Sequence, residues 1–173
     1  AMDYADARVM YDNAKATGLV AGVCPVPIGL SIDSTIQKRL ASRSLGDVRL
    51  VRVQSLSNVF ATPVEPIHWR KDHRLSGLNM HTLGMYVEVI HRWFGWTRSV
   101  SAQDHTYMHQ LSDAKGECID VQIPDLILVN AQMQSGIPVQ YVFSTAVHHG
   151  SDRIEIYGSD MTLQYEVDDD VLY

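Results

Sequence analysis

WRKDHRLSGLNMHTLGMYVEVIHRWFGW, Trp69 to Trp96, joins a charge-dense polar loop to a stretch with helical periodicity. Met80, Leu83, Val87, Ile90 and Phe94 recur at steps of three and four. That spacing predicts a helix with one buried face, and it puts Gly84 on the same side as a point of close approach. Ser76 or Asn79 is placed to cap its start, and Gly95 to end it in a left-handed conformation. About 17 residues rising about 1.5 Å each make a helix of roughly 25 Å. The opposite face carries His81, Met85, Glu88 and Arg92. This polar stripe begins at the helix N-terminus, where unpaired amide donors favour anionic groups, so a chemical site is expected there.

The loop ahead of that helix, residues 56 to 75, is broken by Pro63 and Pro66 and shows no period. Loops of this length in a compact domain are usually functional or mobile. Arg70, Lys71, Asp72, His73 and Arg74 read either as a clamp for a substrate anion, with arginine giving planar two-point recognition, or as an ordinary solvated charge cluster. Trp69, Trp93 and Trp96 wall a pocket or fill a core. Glu88 and Arg92 read as an ordinary helical pair.

Before this stretch, residues 3 to 17 read as a helix stopped by Gly18, and Leu19 to Val23 as a short strand buried on both faces. PVPIGL, 25 to 30, reads as a crossover. A second helix follows from Ser31 to near Ser44, capped by Ser31 or Asp33, with Ile32, Ile36 and Leu40 on one face. The turn Leu45–Gly46–Asp47 then releases a strand over 48 to 55. After Trp96 the chain turns to strands at 99–109, 118–123, 125–134, 137–148, 153–157 and 161–167, with an apolar ending at Val171 to Tyr173. Short turns at 135–136, 149–152 and 158–160 predict antiparallel neighbours along this run.

Composition narrows the function classes. The chain has 173 residues, 46% of them hydrophobic, enough for one core: a large domain, or a domain with a fragment of another. A net charge of −6 with no basic run beside aromatics argues against nucleic acid. Cys24 and Cys118 are too few and too far apart for a disulfide scaffold or a zinc site. The eight histidines have no metal-ligand spacing, so no metal is expected. No apolar run approaches membrane length and the first residues lack a basic region followed by an apolar one, so neither a membrane span nor a signal peptide is expected and the expected address is the cytoplasm. Ala1 ahead of Met2 reads as a vector-derived residue.

The order of elements carries a resemblance. A helix and strand lead to a proline-rich crossover. A helix then closes on Leu45–Gly46–Asp47–Val48, followed by a strand, a tryptophan-bearing loop, and a helix closing on Arg92–Trp93–Phe94–Gly95. The meander contains RIEIYGSDMTL, 153 to 163. This resembles the C-terminal half of the Gfo/Idh/MocA family of NAD(P)-dependent oxidoreductases, over about Asp3 to Tyr173. The resemblance implies an α+β fold: an open, mostly antiparallel sheet with helices on one face, preceded by a helix-strand remnant of a Rossmann domain. Residues 1–24 are then that remnant. Residues 25–173 form the substrate-binding and oligomerisation domain, truncated at its C-terminus.

The resemblance further implies NAD or NADP in the intact protein and none for this chain alone, since no GxGxxG fingerprint is present. It implies a sugar-like substrate and a homo-oligomer built through the sheet face. The family's aspartate and, four residues later, histidine fall on His81 and Met85. His81 is then either a repurposed catalytic group or a cap on the first helical turn, whereas methionine cannot shuttle a proton. The residues placed to meet substrate are Trp69, Arg70, Asp72, His73, Asn79 and Met85. Two other readings stay open: a non-catalytic sugar-sensing or scaffolding homologue, and a free-standing dimerisation module.

Overall fold

Val48 to Leu56, VRLVRVQSL, alternates apolar with polar side chains and forms strand β1. Val51 and Val53 are buried, while Arg52 and Gln54 point to the other side of the pleat. Both neighbours of β1 come from far along the chain. β6 (Pro138–Ser144) runs parallel to it, with Val53 beside Tyr141, and β7 (Asp152–Gly158) runs antiparallel, with Val53 beside Ile154. Together with β2 (Thr97–His105), β5 (Leu126–Met133), β8 (Thr162–Glu166) and β9 (Val171–Leu172) they make a seven-stranded sheet of order β2-β5-β6-β1-β7-β8-β9.

The computed structural model describes residues 2–23, 30–77 and 81–173 and divides into two units. The larger comprises 26–62, 81–105 and 125–173 and holds this sheet. The smaller comprises 1–25, 63–80 and 106–124.

In the larger unit, helices α2 (Asp33–Ala41) and α4 (Leu83–Phe94) contribute Ile36, Tyr86, Val89, Ile90 and Trp93 to one hydrophobic cluster. The inward residues of the sheet complete it, among them Val51, Ile127, Met133, Tyr141, Phe143, Ile154 and Tyr165. Burying the four α4 side chains contributes roughly 6–10 kcal/mol before entropy is counted. The two helices are also locked by polar bonds. Trp93 Nε1 donates to Asp33 Oδ1 at 2.7 Å, and Arg92 lies 3.5 Å from the same oxygen. The turn after α2 needs Gly46, whose φ is 68° and whose missing Cβ leaves room for the Ser159 hydroxyl. Asp160 N donates to Leu45 O there, and Ser159 N to Asp47 O.

The smaller unit contains α1 (Tyr4–Thr17), a 3-10 turn (Trp69–Lys71), the single-turn α3 (His73–Ser76) and the hairpin β3–β4 (Gln110–Ser112 with Cys118–Asp120). Asp3 caps α1 by accepting from Asp6 N, and Gly18 closes it at φ 64°. Leu111, Val121 and Ile123 are buried.

The α+β, helix-on-one-face architecture agrees with the sequence, and several local expectations do not. Leu19 to Val23 is not a strand; it has no regular structure and is exposed, Val20 fully so, and no strand pairs with it among the described residues. α4 begins at Leu83, later than a cap at Ser76 or Asn79 would set it, and Ser76 belongs to α3. Its buried stripe is Tyr86, Val89, Ile90 and Trp93, rotated from the expected one, with Leu83, Val87 and Phe94 at the margin. The aromatic rings of Tyr86 and Trp93 reach the core from positions that a count of aliphatic residues assigns to the flank. Gly84 is exposed, and a Cβ there would touch nothing.

Ser31 does not cap α2; its hydroxyl donates to Asp170. The 149–152 turn does not join sheet neighbours, because β1 inserts between β6 and β7. β2 ends at His105 rather than 109. Cys24, Met80, Asn79 and most of the 25–30 crossover lie outside the described residues.

Removing the acceptor of the buried indole N–H tests the α2–α4 lock. Asp33→Ala is expected to lower unfolding stability by about 1–3 kcal/mol, read as a lower urea midpoint at unchanged slope. An unchanged midpoint would show that the bond contributes nothing.

Candidate functional site

The loop that opens the decisive stretch folds tightly in the smaller unit. His68 accepts the Arg70 N–H on Nδ1 and starts the 3-10 turn, which holds Trp69 half exposed at the surface. The Arg70 guanidinium lies over the Trp69 ring, 4.2 Å from its centroid, a cation–π stack. Lys71 turns the other way. It is only 2% exposed, and its Nζ donates to the carbonyls of Pro124 (3.1 Å) and Ile123 (3.4 Å). Its ammonium is thus consumed in holding the 121–124 segment.

Asp72, 4% exposed, receives the Arg74 guanidinium in a two-point pair. Nη2 lies 2.6 Å from Oδ2 and Nε 2.9 Å from Oδ1, while the Arg74 backbone N–H also donates to Oδ1. The hydrogen bond from Arg74 outweighs burial and holds this carboxyl below the ordinary carboxylate range. The same pair raises the Arg74 guanidinium, with Asp113 adding a weaker attraction. Asp113 is itself lowered by the backbone N–H groups of Glu117 and Lys115. His73, next in the chain, has its Nδ1 buried with no hydrogen-bond partner among the described residues.

In the larger unit the residues before and within the first turn of α4 make a second group. His81 stands at φ 55°, the left-handed region that few non-glycine residues adopt, histidine among the more tolerant. Thr82 follows, and its Oγ1 donates to Ser55 Oγ on β1 at 3.1 Å. Met85, half-buried, is in the first turn of α4. Because His81 precedes the helix, it and Met85 do not form the i, i+4 helical stripe expected from spacing. One turn on, Tyr86 OH donates to Asp152 Oδ2 at 2.7 Å. Burial, then this carboxylate, pushes the phenol far above its usual range and keeps it a donor.

Trp69, Arg70, Asp72 and His73 therefore share one loop in the smaller unit, whereas His81 and Met85 belong to the larger, and Asn79 lies outside the described residues. Asp72 is engaged internally by Arg74, while Arg70 stacks on the half-exposed Trp69. The Tyr86–Asp152 and Thr82–Ser55 bonds were not foreseen. Their partners lie 66 and 27 residues apart, and only the strand order brings them together.

The sheet face away from the helices carries another polar set. Arg52 Nε donates to Gln140 Oε1 (3.2 Å), and its guanidinium lies 3.3 Å from Glu155, whose other oxygen accepts from Tyr157 OH. Arg153 pairs with Glu166 at 2.6 Å. A shallow groove of about 300 Å³ on this face is lined by Ser101, Gln103, Leu128, Asn130, Gln140 and Val142. Among the described residues, no three His, Cys, Asp or Glu side chains converge on a possible metal site, and no helix is long and apolar enough to cross a membrane.

A family model for the GFO/IDH/MocA C-terminal domain matches residues 34–164. The chain belongs to this family. The fold is shared with several solved structures. An NAD-binding oxidoreductase from Klebsiella pneumoniae superposes at TM-score 0.80 with 19% identity, over 97% of this chain and 46% of that one. A levoglucosan dehydrogenase in complex with NADH and levoglucosan superposes at 0.82 with 15% identity, over 98% and 46%. Gal80p from Saccharomyces cerevisiae, in its super-repressor mutant, gives 0.76 with 14% identity, over 97% and 46%. The chain thus spans slightly less than half the length of these Gfo/Idh/MocA-like structures. No curated protein matches it.

The Asp72–Arg74 pair sets a pH signature. A carboxyl with a depressed folded pKa stabilises the fold above its unfolded value of about 3.9 and loses that contribution as pH falls through the folded value. Asp72→Asn is expected to cost about 1–2 kcal/mol at pH 7, discounted because Arg74 is exposed, and much less at pH 3. Urea titrations of both proteins at the two pH values check this; an equal gap at both would contradict the assignment.

Proposed function

We propose that this chain supplies the substrate side and the subunit contacts of an NAD(P)-dependent oxidoreductase acting on a sugar or related hydroxylated small molecule. The observation that carries the reading is the match to the GFO/IDH/MocA C-terminal domain over 34–164. Levoglucosan dehydrogenase structures with NADH and L-sorbose or levoglucosan share the fold and support it.

The cofactor would not be held by this chain. It has no Gly-x-Gly and therefore no turn of the type that lets a backbone approach a pyrophosphate. In our reading residues 1–24 close a Rossmann domain and 25–173 form the substrate domain. The exposed apolar side chains Val9, Met10, Leu19 and Val20 are what such a boundary would present to the rest of a cofactor-binding domain.

Within the smaller unit, Trp69 would offer an aromatic face to the C–H side of a sugar ring, with the Arg70 guanidinium stacked on it as a donor to hydroxyl oxygens. Nicotinamide, when bound, accepts the hydride. Separately, at the head of α4 in the larger unit, His81 is our candidate base for an alcohol proton, since the Met85 thioether cannot take a proton at neutral pH.

The outer sheet face serves as the subunit contact. Seven strands about 4.8 Å apart and about 20 Å long give a face of roughly 600–700 Å², near the ~800 Å² per partner of a stable interface. Its two arginines and two glutamates are already paired, so a second copy meets no net charge.

A second reading, a non-catalytic sugar-sensing homologue, is favoured by one observation: methionine stands at 85, where the resemblance expects histidine. Assaying NAD and NADP reduction by the full-length gene product with a panel of sugars separates the two. The dehydrogenase reading predicts turnover with at least one sugar, a His81→Ala loss of about 100-fold or more in kcat, and a rise in KM on Arg70→Ala. Sugar binding without any reduction would establish the sensor reading instead.

A further inference from the structure

β2 is an edge strand with a long unprotected run. From Arg98 to His105 every residue is exposed, and Val100, an apolar side chain, is 64% exposed. Its open side can be read from its hydrogen bonds. Asp125 N donates to His105 O at 2.8 Å, so the His105 carbonyl points toward β5. Main-chain groups alternate along an antiparallel strand, so His105, Gln103 and Ser101 face β5 while Asp104, Ala102 and Val100 present N–H and C=O outward. The register shift between Thr97 and Ser99 ends the regular run there.

We propose that this edge pairs with β2 of a second copy of the chain, antiparallel about a two-fold axis at Ser101. Outward groups pair only with outward groups, so the axis passes through a residue rather than between two, as at Val100, Ser101 or Ala102 near the middle of the open run. Of these, only the Ser101 register sets Arg98 opposite Asp104 of the other copy, and by symmetry does so twice. It also sets Val100 opposite Ala102 on both sides of the axis, covering the exposed valines. Val100 and Ala102 exchange four main-chain hydrogen bonds in all, and the central Ser101 pair brings together two small side chains. The long Arg98 side chain reaches Asp104 past the end of the regular pairing. The result is one continuous fourteen-stranded sheet. This contact uses the strand edge and is independent of the outer-face contact proposed above.

Sedimentation velocity of the chain across 5–200 µM tests it. Ala102→Pro removes an outward N–H and leaves the bonds to β5 in place, since an edge strand tolerates proline there. It is expected to halve the number of copies in the largest species. Arg98→Asp and Asp104→Arg, each alone on an exposed position, are expected to weaken association at least about tenfold, and the double swap to restore it. Arg52→Asp, on the outer face, is expected to leave the edge-paired species intact. Wild-type behaviour in Ala102→Pro and both single swaps would overturn the proposal. So would a chain that stays monomeric throughout the range, or an association lost in Arg52→Asp but kept in Ala102→Pro.

Discussion

The insertion of β1 between β6 and β7 is the constraint on which the rest of the structure depends. β1 comes early in the larger unit and both its partners come more than 80 residues later, so the sheet cannot be completed until the last third of the chain is in place. Val51 and Val53 are then sealed under α4. The same insertion sets Ser55 beside Thr82 and Asp152 beneath Tyr86, fixing the helix over the sheet by polar bonds that discriminate one position from another. A helix held only by aliphatic contacts could rotate at little cost. One held by buried tyrosine and tryptophan donors on Asp152 and Asp33 cannot, because every such donor would be left unpaired.

That rigidity is what allows His81 to sit in a left-handed turn at the head of α4. A non-glycine residue held there costs of order 1 kcal/mol and persists only when its surroundings fix it. The charged loop is ordered by a different device within its own unit. Lys71 and Asp72, adjacent in sequence and oppositely charged, are both buried, yet they bond to different partners: two backbone carbonyls and the Arg74 guanidinium. The run from Trp69 to Arg74 thereby divides into the buried Lys71 and Asp72 and the stacked pair Trp69 and Arg70.

The fold class and most strands were legible because alternation and turn residues are local signals. α1 with its Gly18 stop was legible for the same reason. What the sequence concealed was long-range. Nothing local marks β1 as the strand that separates β6 from β7, and the 149–152 turn looks like any hairpin turn. The buried face of α4 is not legible locally, because Tyr86 and Trp93 offset burial by hydrogen bonds to distant aspartates, and neither is the state of Leu19 to Val23, because apolar composition cannot reveal whether a pairing partner exists. In the candidate site, the chemistry of the 70–74 cluster was legible as composition only; which charges are spent internally depends on the contact with 123–124.

The central proposal is that this chain is one half of a two-part oxidoreductase. Reading the coding sequence on both sides of codons 2 and 173 tests that most directly. The account predicts an open frame upstream encoding a strand, a Gly-x-Gly-x-x-Gly turn and a helix, in register with Asp3. A natural start at Met2, with no such segment in the frame, would contradict it and leave a binding or assembly domain in its place.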